Sequence, residues 1–334
     1  MAPDRDHGRM LRAVAAAAAV RGTTSPNPWV GCLIVTAAGE EFEGATHPPG
    51  GPHAEAAALA AAAAAGADVV GATVYVTLEP CSHHGRTPPC ADALVAAGVA
   101  RVVVGLADPD PQVAGRGLAR LRDAGIEVEV GVAEDVVSEQ LAAYLTHRRT
   151  GRPYVVLKLA ASLDGRTAAP DGTSQWITGE AARADAHRLR AESDAVLVGA
   201  GTVRADDPAL TVRHGEGRDP LRVVLGKAPA EAKVHPALEL TGELGPILDD
   251  LGARGVLQLL VEGGATVAGA FHRAGLVDAY VVYLAPALFG GDDASGLFSG
   301  AGAATMADVW RGRITRVTPV GDDIRVDLRP ARST

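Results

Sequence analysis

Apolar positions along this chain fall into short runs punctuated by glycine, and the runs alternate between two periods. Residues 30–35, 73–78 and 102–105 are rich in β-branched side chains, the pattern of strands buried on both faces. Between them lie alanine-rich helical stretches at 8–20, 53–65, 90–97 and 118–124, the last three stopped by Gly66, Gly98 and Gly125. A strand at 126–130 and a helix at 134–145 complete the first half. The alternation predicts helices layered on a sheet, an α/β architecture. The polar segment Thr146-His147-Arg148-Arg149-Thr150-Gly151-Arg152-Pro153 then breaks the pattern and predicts a boundary. Domains are expected at 1–147 and 152–334. The second half restarts with strands at 154–159, 195–198, 221–225, 256–261, 279–284 and 324–328, and helices at 181–191 and 265–274. No internal repeat links the halves.

Composition narrows this. The chain has 334 residues, room for two domains. Hydrophobic residues reach 47% but aromatics only 4%, so the cores must rest on Ala, Val and Leu. A net charge of −9 argues against a general polyanion-binding surface, and nucleic acid is not an expected partner. The apolar run 13–20 is too short to span a bilayer, and Asp4 and Asp6 spoil a signal-peptide n-region, so it reads as a buried helix. No membrane partner is expected. Three cysteines, an odd number, do not make a disulfide framework, and a cytoplasmic location is expected.

The chemistry concentrates in His53-Ala54-Glu55 and in Pro80-Cys81 with Cys90 nine positions after Cys81. One imidazole and two thiolates are soft ligands suited to Zn²⁺, and three ligands leave one position open for water. Glu55, two residues from the histidine, is then placed to move that water's proton rather than to bind metal. His53 and Glu55 fall at a helix start, and Cys81, after a strand, is expected at another. A helix N-terminus lowers a thiol's pKa and favours the thiolate. A closed structural zinc is the alternative, because His47, His83 and His84 are near enough in sequence to supply a fourth ligand.

Asn27-Pro28-Trp29-Val30-Gly31-Cys32, His53-Ala54-Glu55, the run from Thr77 through Pro80-Cys81-Ser82-His83-His84-Gly85-Arg86 to Cys90, and Asp108-Pro109-Asp110-Pro111 closely resemble the bifunctional deaminase–reductases of riboflavin biosynthesis. The resemblance implies a cytidine-deaminase-like three-layer α/β/α domain followed by a dihydrofolate-reductase-like α/β domain. It implies hydrolytic deamination of a diaminopyrimidinone carrying phosphoribosylamine, with Asn27, His47, His83 and Arg86 binding substrate. Asn27 has a second reading as a turn residue before Pro28, and Arg86 reads equally as a solvated loop charge. Cys32, in an apolar strand, reads as core.

The second half holds no G-x-G-x-x-G at a strand–helix turn, so a Rossmann domain is not indicated. The same resemblance, carried by Lys158-Leu159-Ala160-Ala161-Ser162-Leu163-Asp164-Gly165, Ser174-Gln175-Trp176, Gly201-Thr202-Val203-Arg204-Ala205-Asp206 and Glu262-Gly263-Gly264, implies an NADPH-dependent step converting the ribosyl group to ribityl. It implies a cofactor site at Ala161, Trp176, Thr202, Asp206 and the turn Gly264, Ala265, Thr266, and a substrate site at Lys158, Ser174, Arg190, Leu210, Arg213 and Glu262. Lys227 stands where it can meet the 2′-phosphate of NADP, and reads equally as a surface charge. The segment between Arg213 and Glu262 is short and is expected to lack a strand that relatives carry. Small-molecule substrates and a homodimer through the reductase half are the expected partners. Two alternatives stand beside this reading: a deaminase with a degenerate reductase half, and a zinc-stabilised binding protein without turnover.

Overall fold

The structure, a computed structural model, describes residues 2–82, 88–111, 113–213 and 217–331. It divides into two compact units, Met1–Gly151 and Arg152–Thr334.

The first unit runs α1 (Ala2–Ala18), β1 (Gly31–Val35), β2 (Glu41–Ala45), α2 (Ala54–Ala64), β3 (Thr73–Leu78), α3 (Cys90–Ala96), β4 (Arg101–Leu106), α4 (Arg116–Asp123), β5 (Glu127–Val130), α5 (Glu134–Gln140) and α6 (Ala142–Thr150). The five strands form one sheet in the order β2-β1-β3-β4-β5. β1 is antiparallel to both neighbours, and β3, β4 and β5 are parallel. Two glycines set the layering. A Cβ on Gly31 would lie 1.9 Å from the Ala13 carbonyl oxygen of α1, and one on Gly44 would lie 2.3 Å from that of Ala54 in α2. Gly44 pairs with Cys32, the next residue after Gly31, so the two glycines face opposite sides of the pleat. α1 and α2 therefore cover opposite faces, giving the three-layer α/β/α arrangement expected from the sequence. Cys32 is fully buried core.

Two elements differ from expectation. The helix predicted at 134–145 breaks at Leu141, where the backbone leaves helical geometry, into α5 and α6. The edge strand β2, Glu-Phe-Glu-Gly-Ala, is half exposed and lacks an apolar alternation, which hid it.

The second unit runs β6 (Tyr154–Ser162), β7 (Arg166–Ala168), α7 (Glu180–Ala191), β8 (Ala195–Gly199), α8 (Ala200–Asp206), β9 (Leu221–Leu225), β10 (Leu238–Leu240), α9 (Leu244–Ala253), β11 (Gln258–Val261), α10 (Ala265–Arg273), β12 (Ala279–Ala285), β13 (Ser295–Gly296), β14 (Gly312–Val320) and β15 (Asp323–Pro330). Eight strands form a mixed sheet, β10-β9-β8-β11-β6-β12-β15-β14. The first six are parallel, while β15 and β14 close the far edge antiparallel. Its core gathers Leu157, Leu197, Val223, Leu251, Leu259, Val261 and Phe271, all buried. Between Arg213 and Glu262 the chain carries β9, β10, α9 and β11, of which β10 and α9 were not expected from the sequence. β10 has three residues, too few for a period to register. α9 carries Gly245 and Pro246, helix breakers that a first turn tolerates. Among the described residues no helix is long and apolar enough to cross a membrane.

Candidate active sites

In the first unit β3 carries the chain out of the sheet and turns at Glu79-Pro80-Cys81. Glu79 is buried and fixes that turn: its carboxylate accepts the backbone N–H groups of Asp108, Gly115 and Gly117 at 3.2, 3.0 and 3.0 Å. The fit is tight, because a Cβ on Gly117 would lie 1.9 Å from the Pro80 carbonyl oxygen. His53 is the N-cap of α2, and Cys90 is the first residue of α3. The sequence predicted Cys81 at a helix start, and the structure differs. It lies in the loop, and its Sγ instead accepts the Cys90 N–H of α3 at 3.4 Å.

These turns bring the three side chains together. His53 Nδ1 lies 3.6 Å from Cys81 Sγ and 3.4 Å from Cys90 Sγ, and all three ligand atoms lie within 4.8 Å of one another. Tetrahedral ligands with bonds of about 2.0 Å to nitrogen and 2.3 Å to sulfur stand about 3.5 Å apart. The electrostatics point the same way. A hydrogen bond from the Cys90 thiol, with help from His53, brings Cys81 down to about 4. The Cys81 sulfur and burial then push Cys90 far up. Both thiols lose their protons only if a cation joins them. His53 is raised chiefly by its bond to Cys81.

Glu55, in the first turn of α2, is 3% exposed, and burial raises its carboxyl to about 7. It lines a cavity of about 540 Å³ together with His53, Cys81, Asn27, Thr46 and Gly51. Asn27 therefore lines the cavity. His47 is exposed on a loop whose Thr46, Pro49, Gly50 and Gly51 are lining residues while His47 is not. His83 and Arg86 lie outside the described residues. The sequence reading missed Asp108, Asp110, Tyr144 and Arg148, which line the same cavity. Tyr144 Oη donates to the buried Asp108 carboxylate, 3.1 Å from each oxygen. The string Asp108-Pro109-Asp110-Pro111 was the available signal for two of them; Tyr144 and Arg148, in a polar helix tail, gave none.

In the second unit Lys158, Arg190 and Glu262 come together. Arg190 grips Glu262 through two hydrogen bonds of 2.6 and 2.9 Å, and Lys158 Nζ lies 4.0 Å from the same carboxylate. Burial works to raise Glu262, but the Arg190 charge and its hydrogen bonds outweigh it and leave the carboxyl below its ordinary value. Arg190 also donates to the Thr211 carbonyl at 3.3 Å, and the Arg213 N–H to His187 Nδ1 at 3.2 Å, so α7 holds the 210–213 strip. Leu210 in that strip is buried. The Gly264 N–H donates to Thr202 Oγ1 at 3.3 Å. Ala161, Thr202, Lys227, and 264–266 follow or end parallel strands, so they sit along the carboxyl edge of the sheet, where α/β folds bind ligands. Asp206 is exposed at the end of α8. Ser174 and Trp176 lie between β7 and α7. Trp176 is 68% exposed and stacks on Arg183 rather than on the Glu262 group.

Two family models match the chain: one described as the cytidine and deoxycytidylate deaminase zinc-binding region over residues 4–106, and one as the RibD C-terminal domain over 153–326. Riboflavin biosynthesis protein RibD of Escherichia coli (strain K12) is 43% identical over 367 residues, covering 97% of this chain and 99% of that protein. The chain belongs to the RibD family. The RibD of Mycobacterium tuberculosis is 46% identical over 322 residues, covering 92% of this chain and 93% of that one. Acinetobacter baumannii RibD (form 1) superposes with a TM-score of 0.90 at 41% identity, covering 99% of this chain and 100% of that one. The Thermotoga maritima structure titled diaminohydroxyphosphoribosylaminopyrimidine deaminase/5-amino-6-(5-phosphoribosylamino)uracil reductase gives 0.89 at 34%, over 99% and 100%. As a RibD, the chain is a bifunctional deaminase and reductase of riboflavin biosynthesis, with its zinc-binding deaminase region in the first unit and its reductase region in the second. Both matched regions are complete enough to hold the two side-chain clusters just described.

Proposed function

We propose that the first unit, Met1–Gly151, deaminates a 2,5-diamino-6-(phosphoribosylamino)pyrimidinone and that the second, Arg152–Thr334, then reduces its ribosyl group with NADPH. The observation that carries the first half is the set of 3.4 and 3.6 Å spacings about His53 Nδ1, with the buried Glu55 carboxyl in the same cavity. His53, Cys81 and Cys90 would hold zinc. When bound, zinc supplies Lewis acidity that makes water a usable nucleophile near neutral pH. Glu55 takes the first proton from the attacking water and delivers it to the ring nitrogen, then takes the second from the hydroxyl now on carbon and gives it to the amine as the C–N bond breaks. Asn27, with both donor and acceptor on its amide, aligns the pyrimidine edge.

In the second unit the α10 N-terminus at Gly264, Ala265 and Thr266, with Thr202 beside it, receives the cofactor's phosphates. NADPH supplies the hydride. Glu262 is held ionised by Arg190 and is a poor acid, which leaves Lys158 and Asp206 to supply the proton to the opening ribosyl ring. Ser174, Arg190, Leu210 and Arg213 frame the substrate. The three free cysteines fit a reducing cytoplasm. The exposed Ile314 and Val317 on the sheet-edge strand β14 support a homodimer through the second unit.

The test is metal analysis of the purified chain, with products identified from the phosphoribosyl substrate with and without NADPH. About one zinc per chain is expected, with the ribityl product when NADPH is present and deaminated product alone when it is absent. Zinc-loaded chain that releases no ammonia overturns the deaminase assignment, and deaminated product that accumulates beside unspent NADPH overturns the reductase one.

A further inference from the structure

Between α8 and β9 the chain runs through a strained strip. Among the described residues three non-glycine positions have positive φ, and two of them, Asp207 (+40°) and Leu210 (+53°), fall here. A left-handed leucine is unfavourable on its own and persists only where its surroundings fix it. Here they do. The Leu210 side chain is buried. The Asp207 carboxylate accepts the Lys233 N–H at 2.8 Å, and the Val212 N–H donates to Asp219 Oδ1 at 2.8 Å. Two further ties go to α7: Arg190 donates to the Thr211 carbonyl at 3.3 Å, and the Arg213 N–H donates to His187 Nδ1 at 3.2 Å. His187 and Arg190 are three residues apart and share one face of the helix. Arg190 on that face also binds both oxygens of Glu262, beside Lys158. One helix face thus registers the strip against the charged group of the second unit. His187 is buried, at 6% exposure, and meets the strip through backbone. A backbone N–H can only donate, so Nδ1 carries no proton and the ring is in its Nε2–H form.

We propose that His187 is a positioning residue of the reductase: by accepting the Arg213 N–H it holds the strained strip, and with it Leu210 and Arg213, in the arrangement that binds substrate. This rests on the reading above that Leu210 and Arg213 frame the substrate, and adds the group that sets their backbone. His187 acts through the strip rather than on the reacting atoms, so its loss is felt in KM rather than in kcat.

The experiment measures NADPH oxidation by the full chain with the deaminated intermediate, for the parent and two variants. His187→Asn places its side-chain oxygen where Nδ1 stands and keeps the acceptor; His187→Leu keeps much of the bulk and removes it. Leaving one buried donor unpaired predicts a KM for the intermediate about 5- to 50-fold higher in the leucine variant, with kcat changed by less than about twofold. The asparagine variant should stay within about threefold of the parent in KM, because the hydrogen bond is kept. NADPH affinity, titrated directly without the intermediate, should be the same in all three. Equal losses in the two variants, or a fall in NADPH affinity alongside, would mean that the ring only packs; an unchanged leucine variant would mean that the strip needs no such tie. Each of these overturns the inference while leaving the reductase intact. Should His187→Leu fail to fold, the asparagine variant and the parent decide. Nitrogen-15 NMR of the parent reads which ring nitrogen of His187 is protonated: Nε2 is expected, and a proton on Nδ1 overturns the inference. A parent chain that leaves both the intermediate and NADPH unspent overturns the reductase reading itself, and this inference with it.

Discussion

At the scale of single residues, Glu55 is the side chain whose environment departs furthest from its ordinary one for a reason chemistry can use. An ordinary glutamate is a solvated anion. This one is almost fully buried, and burial raises it to about 7, near the pH at which it must both accept and release a proton. A divalent cation beside it pulls that value down again, so that metal and carboxyl tune each other. Replacing Glu55 with Gln keeps the volume and removes only the proton carrier. Ammonia release should fall about 10²- to 10⁴-fold, the usual span for a positioned acid–base group. Zinc content and NADPH oxidation with the deaminated intermediate should stay as they were. Loss of zinc in this variant would make Glu55 a metal ligand instead. Cys90 shows the other side of the tuning: its thiol is pushed up because Cys81 already holds the negative charge, which is why the pair calls for a cation.

At the scale of elements, α1 is tied to the sheet by charge as well as by packing. Asp6 accepts from Arg101 of β4 at 2.9 Å and from Tyr75 Oη of β3 at 2.6 Å, and Arg101 reaches on to Glu129 of β5. The Arg101 hydrogen bond, against the opposing pull of burial, lowers Asp6 below its ordinary 3.8. A carboxyl lowered on folding contributes stability that is fully present above the unfolded value and is lost as pH falls through the folded one. Asp6→Asn should therefore destabilise the first unit by about 1–3 kcal/mol near neutrality, and the gap to the parent should close below about pH 3 in urea titrations. An equal gap at both pH values would assign the loss to packing. None of this network was legible in the sequence, because Asp6, Tyr75 and Arg101 are far apart along the chain. What was legible had a local cause. Buried parallel strands print β-branched runs, helix ends print glycine, and His-x-Glu with Pro-Cys prints itself. β2, β10 and α9 were missed because an edge strand of alternating glutamates, a three-residue strand and a helix opening on Gly-Pro carry no such mark. Arg148 and Tyr144 were missed for the same reason that Asp6 was: only folding brings α6 to the cavity wall.

At the scale of the whole molecule, each unit has its own sheet and its own buried core, and each ligand is read by one unit alone. The proposed zinc ligands lie between His53 and Cys90, and the proposed cofactor edge between Ala161 and Thr266. Ligand binding stabilises the folded state it binds, by about 4 kcal/mol at a thousandfold excess over Kd. In a unit of this size about 1 kcal/mol moves the midpoint by about 2–4 °C. Stripping zinc with a chelator should thus lower one calorimetric transition by about 8–16 °C and leave the other in place. Saturating NADPH should raise only the transition that the chelator spared. If instead one transition carries all the heat and both treatments shift it whole, the two units unfold as one, and their independence, read from separate cores, is wrong.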